Sequence, residues 1–198
     1  MSKVVVFTNV TLDGVMQAPG RPDEDRRGGF EHGGWATPYA AMQQAGGSMA
    51  DAGGLILGRR TYEDFHVVWH GRTDNPFTAV LDNMQKYVAS RTLKEPLPWV
   101  NSTLLEGDAA EAVARLRKAP GKTLLIMGSG ELVQSLMRKN AVDEYVLLIH
   151  PLVLGSGRRL FPDGGPLCPL ELVHSQTTPS GVVIATYRPA ESTAGTAA

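Results

Sequence analysis

Cysteine is almost absent. Cys168 is the single cysteine among 198 residues, so no intramolecular disulfide can form, which suits a reducing compartment. No apolar run approaches the ~20 residues that a membrane-spanning helix needs, and no leader-like segment precedes the first strand pattern. A cytoplasmic protein with no membrane partner is the expectation. Charge of one sign is not in excess either: 19 Lys and Arg face 20 Asp and Glu, for a formal net charge of −1. No global field then recruits nucleic acid, although local arginine clusters can still hold local phosphates. His66 and His70 stand four apart, but no HExxH pattern and no cysteine ligand accompanies them, so no metal is expected. No internal repeat and no interdomain linker is visible. One domain over residues 1–190 is expected, with a disordered tail of small residues at 191–198.

What is present is enough apolar residue for a core, at 42%, and one stretch that orders the rest. Leu124 to Met127 is a continuous apolar run, read as a strand buried on both faces. Gly128-Ser129-Gly130 is a tight turn. Leu132, Val133, Leu136 and Met137 then recur at helical spacing. A small-residue turn before a helix lets backbone N–H groups and the positive end of the helix dipole approach an anion. A tight connection without a ligand explains this stretch equally well. The third glycine of the dinucleotide fingerprint is missing, since Val133 stands there, so a standard Rossmann site is not supported.

Two further strand ends have the same character. Leu55 to Leu57 is followed at once by Gly58-Arg59-Arg60-Thr61 and a helix. Arginine forks suit phosphate oxygens, and cations at a helix N-terminus oppose the dipole unless an anion offsets them. The strand from Lys86 to Ala89 ends in Ser90-Arg91-Thr92. At the end of the first strand, Thr8 and Asn9 are polar where burial is expected, and Asp13-Gly14 marks a turn. Residues 17–34 are rich in glycine, proline and charge and are read as a lid over a site. Thr37-Pro38 suits a helix start, with that helix reaching towards Gly46-Gly47. Trp99 to Asn101 is read as a short strand, and Leu170–Thr177 with Val182–Tyr187 as a hairpin. The order β-α-β-α-α-β-β-α-β-α-β-β-β implies an α/β fold of three αβα layers: a mixed, mostly parallel central sheet with a C-terminal antiparallel hairpin. Ligands in such sheets sit outside the carboxyl ends of the strands, where the three turns lie.

Those turns, in that order, resemble the dihydrofolate reductase-like superfamily. The branch most similar is the reductase domain of riboflavin biosynthesis, which is the C-terminal half of the bifunctional deaminase-reductase, with its stand-alone relatives. The matching pieces are residues 11–14 (TLDG), 33–39 (GGWATPY), 57–63 (LGRRTYE), 88–93 (VASRTL), 126–130 (IMGSG) and 151–162 (PLVLGSGRRLFP). They span Val4 to about Tyr187. The resemblance implies NADPH. Gly58, Arg59, Arg60 and Thr61 would hold its pyrophosphate and adenosine end. Ser90, Arg91 and Thr92 would flank the 2′-phosphate. Gly128, Ser129, Gly130 and Glu131 would face the pyrophosphate, and Thr8 and Asn9 the nicotinamide.

The implied activity is NADPH-dependent reduction of a small planar heterocyclic or conjugated molecule by hydride transfer. Trp35, Tyr39, Phe65 and Trp69 are candidates for the substrate pocket wall, and Asp13 is the candidate catalytic carboxylate there. Dihydrofolate reductases carry an acid on their first helix. Here no Asp or Glu occurs between Glu31 and Asp51, and the matching position falls near Met42, which argues against dihydrofolate as substrate. Two alternatives stand beside this reading. One is a ribosylaminopyrimidine phosphate reductase, with Arg158 and Arg159 for the substrate phosphate. The other is a nucleotide-binding scaffold or regulator without turnover. Members of this branch are often dimers, so a homodimer paired through the terminal hairpin is expected.

Overall fold

The computed structural model describes residues 1–41, 52–75 and 77–190. Its strands are β1 (Val4–Thr11), β2 (Gly54–Gly58), β3 (Gln85–Ala89), β4 (Ser102–Leu105), β5 (Leu124–Met127), β6 (Glu144–His150), β7 (Leu170–Thr177) and β8 (Val183–Pro189). The α-helices are α1 (Arg59–Trp69), α2 (Phe77–Asn83), α3 (Ala109–Lys118) and α4 (Gly130–Met137). The eight strands form one sheet in the order β4-β3-β2-β5-β1-β6-β8-β7. From β4 to β6 every neighbouring pair is parallel. The last two strands return antiparallel.

Parallel strands joined by crossover helices are covered on both faces, so they must be apolar on both. β5, the run Leu124-Leu-Ile-Met127, is buried at every position. β1 shows how successive residues serve opposite layers. Val4, Val6 and Val10 pack with Val113 of α3 and with Leu132, Val133 and Leu136 of α4. Val5 and Phe7 pack on the other side with Tyr62 of α1, Leu81 of α2 and Trp99. The result is three layers, with the sheet in the middle and the central strand β5 between β2 and β1.

Two expected elements take another form. Thr37–Tyr39 is a single 3-10 turn, because Ala40 follows it in the left-handed region at φ 49° and breaks the helical path. Residues 42–51, into which that expected helix extends and where Met42 falls, lie outside the described residues, as does the tail at 191–198. The strand expected around Trp99 begins only at Ser102. Trp99 instead sits in a turn and plugs the core, 1% exposed. Its backbone N–H donates to the Tyr62 hydroxyl at 3.0 Å and its indole N–H to Asp82 Oδ1 at 2.5 Å. Asn101 then turns the chain at φ 56°.

Beneath Trp99 lies a charge that the apolar pattern conceals. Lys86 is the second residue of β3, shares a sheet face with Val88, and is fully buried. Its ammonium donates to the carbonyls of Leu81 at 2.6 Å, Met84 at 2.7 Å and Asp82 at 3.3 Å. It lies 4.5 Å from the centre of the Trp99 ring. The last carbonyls of α2 have no partner within the helix, and Lys86 supplies one from the neighbouring strand. Burial pushes its pKa down to about 8, with the nearby Asp82 carboxylate opposing that shift. At neutral pH it remains an ammonium and a donor. Replacing it with Met keeps the stem and takes the donor from the carbonyls of Leu81 and Met84, while that of Asp82 keeps the Asn101 amide at 3.0 Å. Lys86→Met is therefore expected to lower unfolding stability by roughly 2–4 kcal/mol, read by urea denaturation. A loss below about 0.5 kcal/mol would remove Lys86 as the cap of α2.

Candidate functional site

The parallel register sets the ends of β2 and β5 side by side, with Ile56 paired to Ile126. One serine joins the turns that follow them. Ser129 Oγ accepts the Gly58 N–H at 2.9 Å and donates to the Met127 carbonyl at 3.0 Å. The Ser129 N–H donates to Thr61 Oγ1 at 3.2 Å. Ser129 itself stands at φ 54°, in the left-handed region. Gly128 has the same φ, and a Cβ there would come within 3.2 Å of Thr61 Oγ1. At Gly130 a Cβ would meet Met16 Sδ at 2.6 Å. Both glycines thus stand in close contact with the protein itself, whatever binds outside.

Around these turns opens a cleft of about 2130 Å³. Every residue that sequence reasoning assigned to the cofactor lines it: Thr8, Asn9, Gly58, Arg59, Arg60, Thr61, Ser90, Arg91, Thr92, Gly128, Ser129, Gly130 and Glu131. At one end, the β3 turn is held by Ser90 Oγ, which accepts the N–H groups of Thr92 at 3.1 Å and Leu93 at 3.0 Å. That turn presents Arg91, exposed and without an ion pair among the described residues. At the other end lie Phe7, Thr8 and Asn9 from the middle of β1.

The glycine-rich segment expected to be a lid forms part of the cleft wall, and Gln17 organises it. Buried at 4% exposure, its amide donates to the carbonyls of Asp25 at 3.1 Å and Arg27 at 2.9 Å and accepts the Arg158 N–H at 2.9 Å. Arg21 binds Asp64 of α1 through two hydrogen bonds, at 2.6 and 3.3 Å, which fastens the segment to α1. Glu24, also in the wall, accepts the N–H groups of Gly20 and Arg21. Burial pushes its carboxyl upward against the pull of those N–H groups. Glu24, Asp64 and Arg27 were missed as cleft residues. The order of residue types in a loop does not show which way its side chains point.

The expected substrate wall divides. Phe65 and Trp69 line the cleft. Asp13, Trp35 and Tyr39 do not. Asp13 accepts the Thr11 hydroxyl at 2.5 Å and the Gly155 N–H at 2.8 Å, so its carboxylate ties the turn after β1 to the 152–155 segment. The Thr11 hydroxyl holds its pKa below the usual carboxylate range. Already ionised and already bonded, it cannot serve as an acid in the cleft. The Trp35 ring is buried at 7% exposure, and its indole N–H donates to the Gln17 carbonyl at 2.7 Å. Trp35 and Tyr39 both meet the His150 ring edge-on at 5.1 Å.

His150, which no pattern in the sequence singled out, does not line the cleft but is bonded to Asn9, which does. It ends β6 opposite Thr11 and has no exposed surface. Its Nε2 lies 2.9 Å from Asn9 Oδ1. An amide oxygen only accepts, so the ring carries its hydrogen on Nε2. Nδ1 has no hydrogen-bond partner among the described residues. This bond holds Asn9 with its amide oxygen turned inward, towards His150. Among the described residues no group of His, Cys, Asp and Glu is placed to hold a metal ion, and no helix is long and apolar enough to cross a membrane.

Known proteins resemble the chain over most of its length. The family model described as RibD C-terminal domain matches residues 2–184. Protein YyaP of Bacillus subtilis (strain 168) is 35% identical over 141 residues, covering 67% of this chain and 72% of its own. YwjB of the same organism is 31% identical over 166 residues, covering 80% and 82%. Two solved structures share the fold. A putative riboflavin biosynthesis protein from Shewanella sp. PV-4 superposes with a TM-score of 0.68 at 21% identity, over 95% of this chain and 99% of that one. A pyrimidine reductase-like protein from Corynebacterium diphtheriae gives 0.62 at 14% identity, over 96% and 92%. The fold is thus the dihydrofolate reductase-like one expected from the six sequence pieces.

The buried His150 makes a pH prediction. Burial pushes its pKa down to about 4, against about 6.5 in an unfolded chain. Between those values the unfolded chain binds a proton that the folded chain does not. The stability tied to a neutral His150 is therefore present above about pH 6.5 and is lost as pH falls towards 4, by up to about 3 kcal/mol. Urea unfolding of the wild type should weaken across that window, and His150→Gln should flatten the slope. An unchanged slope in the variant would show that other groups set it.

Proposed function

We propose that this chain, which belongs to the RibD C-terminal domain family, is an NADPH-dependent reductase of a small planar heterocyclic or conjugated molecule. The observation that carries the reading is the convergence of the three strand-end turns and of Thr8 and Asn9 from the middle of β1 on one cleft. Its dimensions and donors suit an elongated dinucleotide. Arg91 offers an uncommitted guanidinium at one end, suited to a 2′-phosphate. The turns at Gly58 and Gly128 offer backbone N–H groups and the start of α4 in the middle. Thr8 and Asn9 offer polar groups at the other end. The names of the two solved relatives, one from riboflavin biosynthesis and one pyrimidine reductase-like, support reductase chemistry.

When bound, NADPH supplies the hydride; the work of the chain is positioning. Ser90, Arg91 and Thr92 anchor the phosphorylated adenosine end. Asn9, its amide oxygen held by His150, fixes the orientation of the nicotinamide. Phe65 and Trp69 give an apolar wall that excludes water from the acceptor. Asp13 is withdrawn as the acid, because its carboxylate is committed to the turn after β1. A homodimer remains the assembly we propose. β7 is one of the two edge strands of the sheet, the other being β4, and Leu172 and Val173 on it are about half exposed, at 51% and 45%.

Thermal unfolding with NADPH and with NADH tests the cofactor. Ligand at about 100 times its dissociation constant adds about 2.7 kcal/mol, and NADPH is expected to give the larger shift. No shift with either would end the cofactor reading. Arg91→Ala is expected to narrow the preference for NADPH over NADH by roughly tenfold. An unchanged preference would take Arg91 out of the 2′-phosphate site. Loss of reduced-nicotinamide absorbance with a panel of pyrimidinone, pterin and quinone acceptors tests turnover. Binding without oxidation by any of them would favour the scaffold reading.

A further inference from the structure

Three arginines from three separate segments face one oxygen atom. Glu131 is the second residue of α4, and its side chain is 71% exposed. Its Oε1 lies 3.4 Å from an Arg158 guanidinium nitrogen, 3.7 Å from one of Arg27 and 3.8 Å from one of Arg60. Arg27 comes from the cleft-wall segment, Arg60 from the first turn of α1, and Arg158 from the glycine loop after β6. Three guanidinium groups stand against two carboxylates, Glu131 and the Asp25 that pairs with Arg27, which leaves one positive charge over at the positive end of a helix dipole. The chain as a whole has a net charge of −1, so this is a local concentration and not a general excess.

Of the three arginines only Arg27 has a second carboxylate partner among the described residues; Arg60 and Arg158 turn their guanidinium groups to Glu131 alone. Arg27 already makes two hydrogen bonds to Asp25, at 2.8 and 2.5 Å. Its remaining nitrogen, Nη1, is buried and without a hydrogen-bond partner among the described residues, and it is this nitrogen that faces Glu131. Of the three contacts only that of Arg158 comes within hydrogen-bond reach. A single exposed carboxylate at these distances is a weak partner, as exposed ion pairs are. Solvent makes this gathering of like charge tolerable in the free protein, and a stronger anion in place of the carboxylate would make it favourable. A phosphate carries more charge than a carboxylate and several acceptor oxygens, enough to serve all three forks at once.

We propose that Glu131 is an internal stand-in for a phosphate group. In the free protein its carboxylate occupies a cradle made by Arg27, Arg60 and Arg158. A phosphorylated ligand displaces it, and the affinity for that ligand is set by this competition. The proposal rests on the reading of the cleft as a dinucleotide site, and it gives Glu131 the role of a competitor where sequence reasoning made it a contact. The phosphate chemistry has two sources, the pyrophosphate bridge of a dinucleotide or the monoester of a phosphorylated substrate.

Isothermal titration at low ionic strength, with inorganic pyrophosphate as the first probe, compares the wild type with Glu131→Gln. The amide keeps the shape of the side chain at an exposed position and removes its charge. Removing the competing partner of three exposed pairs should tighten pyrophosphate binding by roughly three- to tenfold. Arg158→Gln should weaken it, and added salt should erase both differences. Repeating the comparison with ADP and with ribose 5-phosphate separates the sources. A gain confined to ADP assigns the cradle to the dinucleotide, and a gain confined to ribose 5-phosphate assigns it to the substrate. Equal or weaker binding by Glu131→Gln for every phosphate probe overturns the proposal. NADPH itself is titrated in parallel. If it fails to bind while pyrophosphate shows the gain, the cofactor reading falls and the cradle stands. If it binds and no probe shows the gain, the cradle falls and the cofactor reading stands.

Discussion

The architecture hangs on the parallel pairing of β2 with β5 and on the single serine that joins their ends. In a parallel pair both strands finish at the same edge of the sheet, so both following turns open to the same side. Ser129 turns that proximity into one rigid unit. Its hydroxyl accepts the N–H at the end of β2, and its own N–H donates to Thr61 at the start of α1. Two helix N-termini, those of α1 and α4, are thereby fixed side by side. The left-handed backbone at Gly128 and Ser129 is held by these bonds. Strain of that kind persists where the surroundings determine it. The cleft is therefore built before any ligand arrives.

Much of this was legible in the sequence, for a physical reason. Strands buried on both faces need continuous apolar runs, and such runs at 4–7, 55–57 and 124–127 are hard to read as anything else. Polar and glycine-rich ends on those runs mark the edge where ligands gather. The ordering of the runs then implied parallel crossovers, and the observed sheet has them. Three turns that are each ambiguous alone became specific together, because the sheet brings strand ends into one line. The missing third glycine at Val133 belongs to the same account. Close approach at the start of α4 is served by Gly130 against Met16, and Val133 is free to be a core residue of the helix.

What was not legible is the direction of side chains where no period constrains them. Asp13 looked like a candidate acid because an acidic residue at a strand end is common in sites. Its carboxylate instead closes its own turn, as Asp in a turn commonly does. Trp35 and Tyr39 looked like a ring-binding wall. They pack edge-on around His150, outside the cleft lining, and give apolar cover to an imidazole without exposed surface. Trp99 looked like part of a strand, and its aromatic bulk fits one. It is used as a plug because Tyr62 and Asp82 offer partners to its backbone and indole N–H groups. Lys86 and His150 are polar residues on otherwise apolar strand faces. Alternation shows that each points inward, with Val88 and Leu148 on the same faces, but it does not show what each meets there.

The distribution of charge follows from where water is. Lys86 and His150 lie where water is excluded, and each has one settled arrangement: an ammonium on three carbonyls, a neutral ring on one amide. Burying a charge without such partners would be prohibitive. The arginines at the cleft are the opposite case. They keep partial access to water, so a surplus of positive charge is tolerable in the free protein, and no single carboxylate needs to match them. Screening by solvent is what lets the cleft carry unspent charge, and closing a ligand over it removes that solvent. The same guanidinium groups then interact with an anion in a lower dielectric and at shorter range. A site assembled from exposed arginines is thus weak towards its own carboxylates and strong towards a ligand that covers them. Paired, buried charge holds the shape of the protein, and the exposed arginines of the cleft are what the proposed ligand would meet.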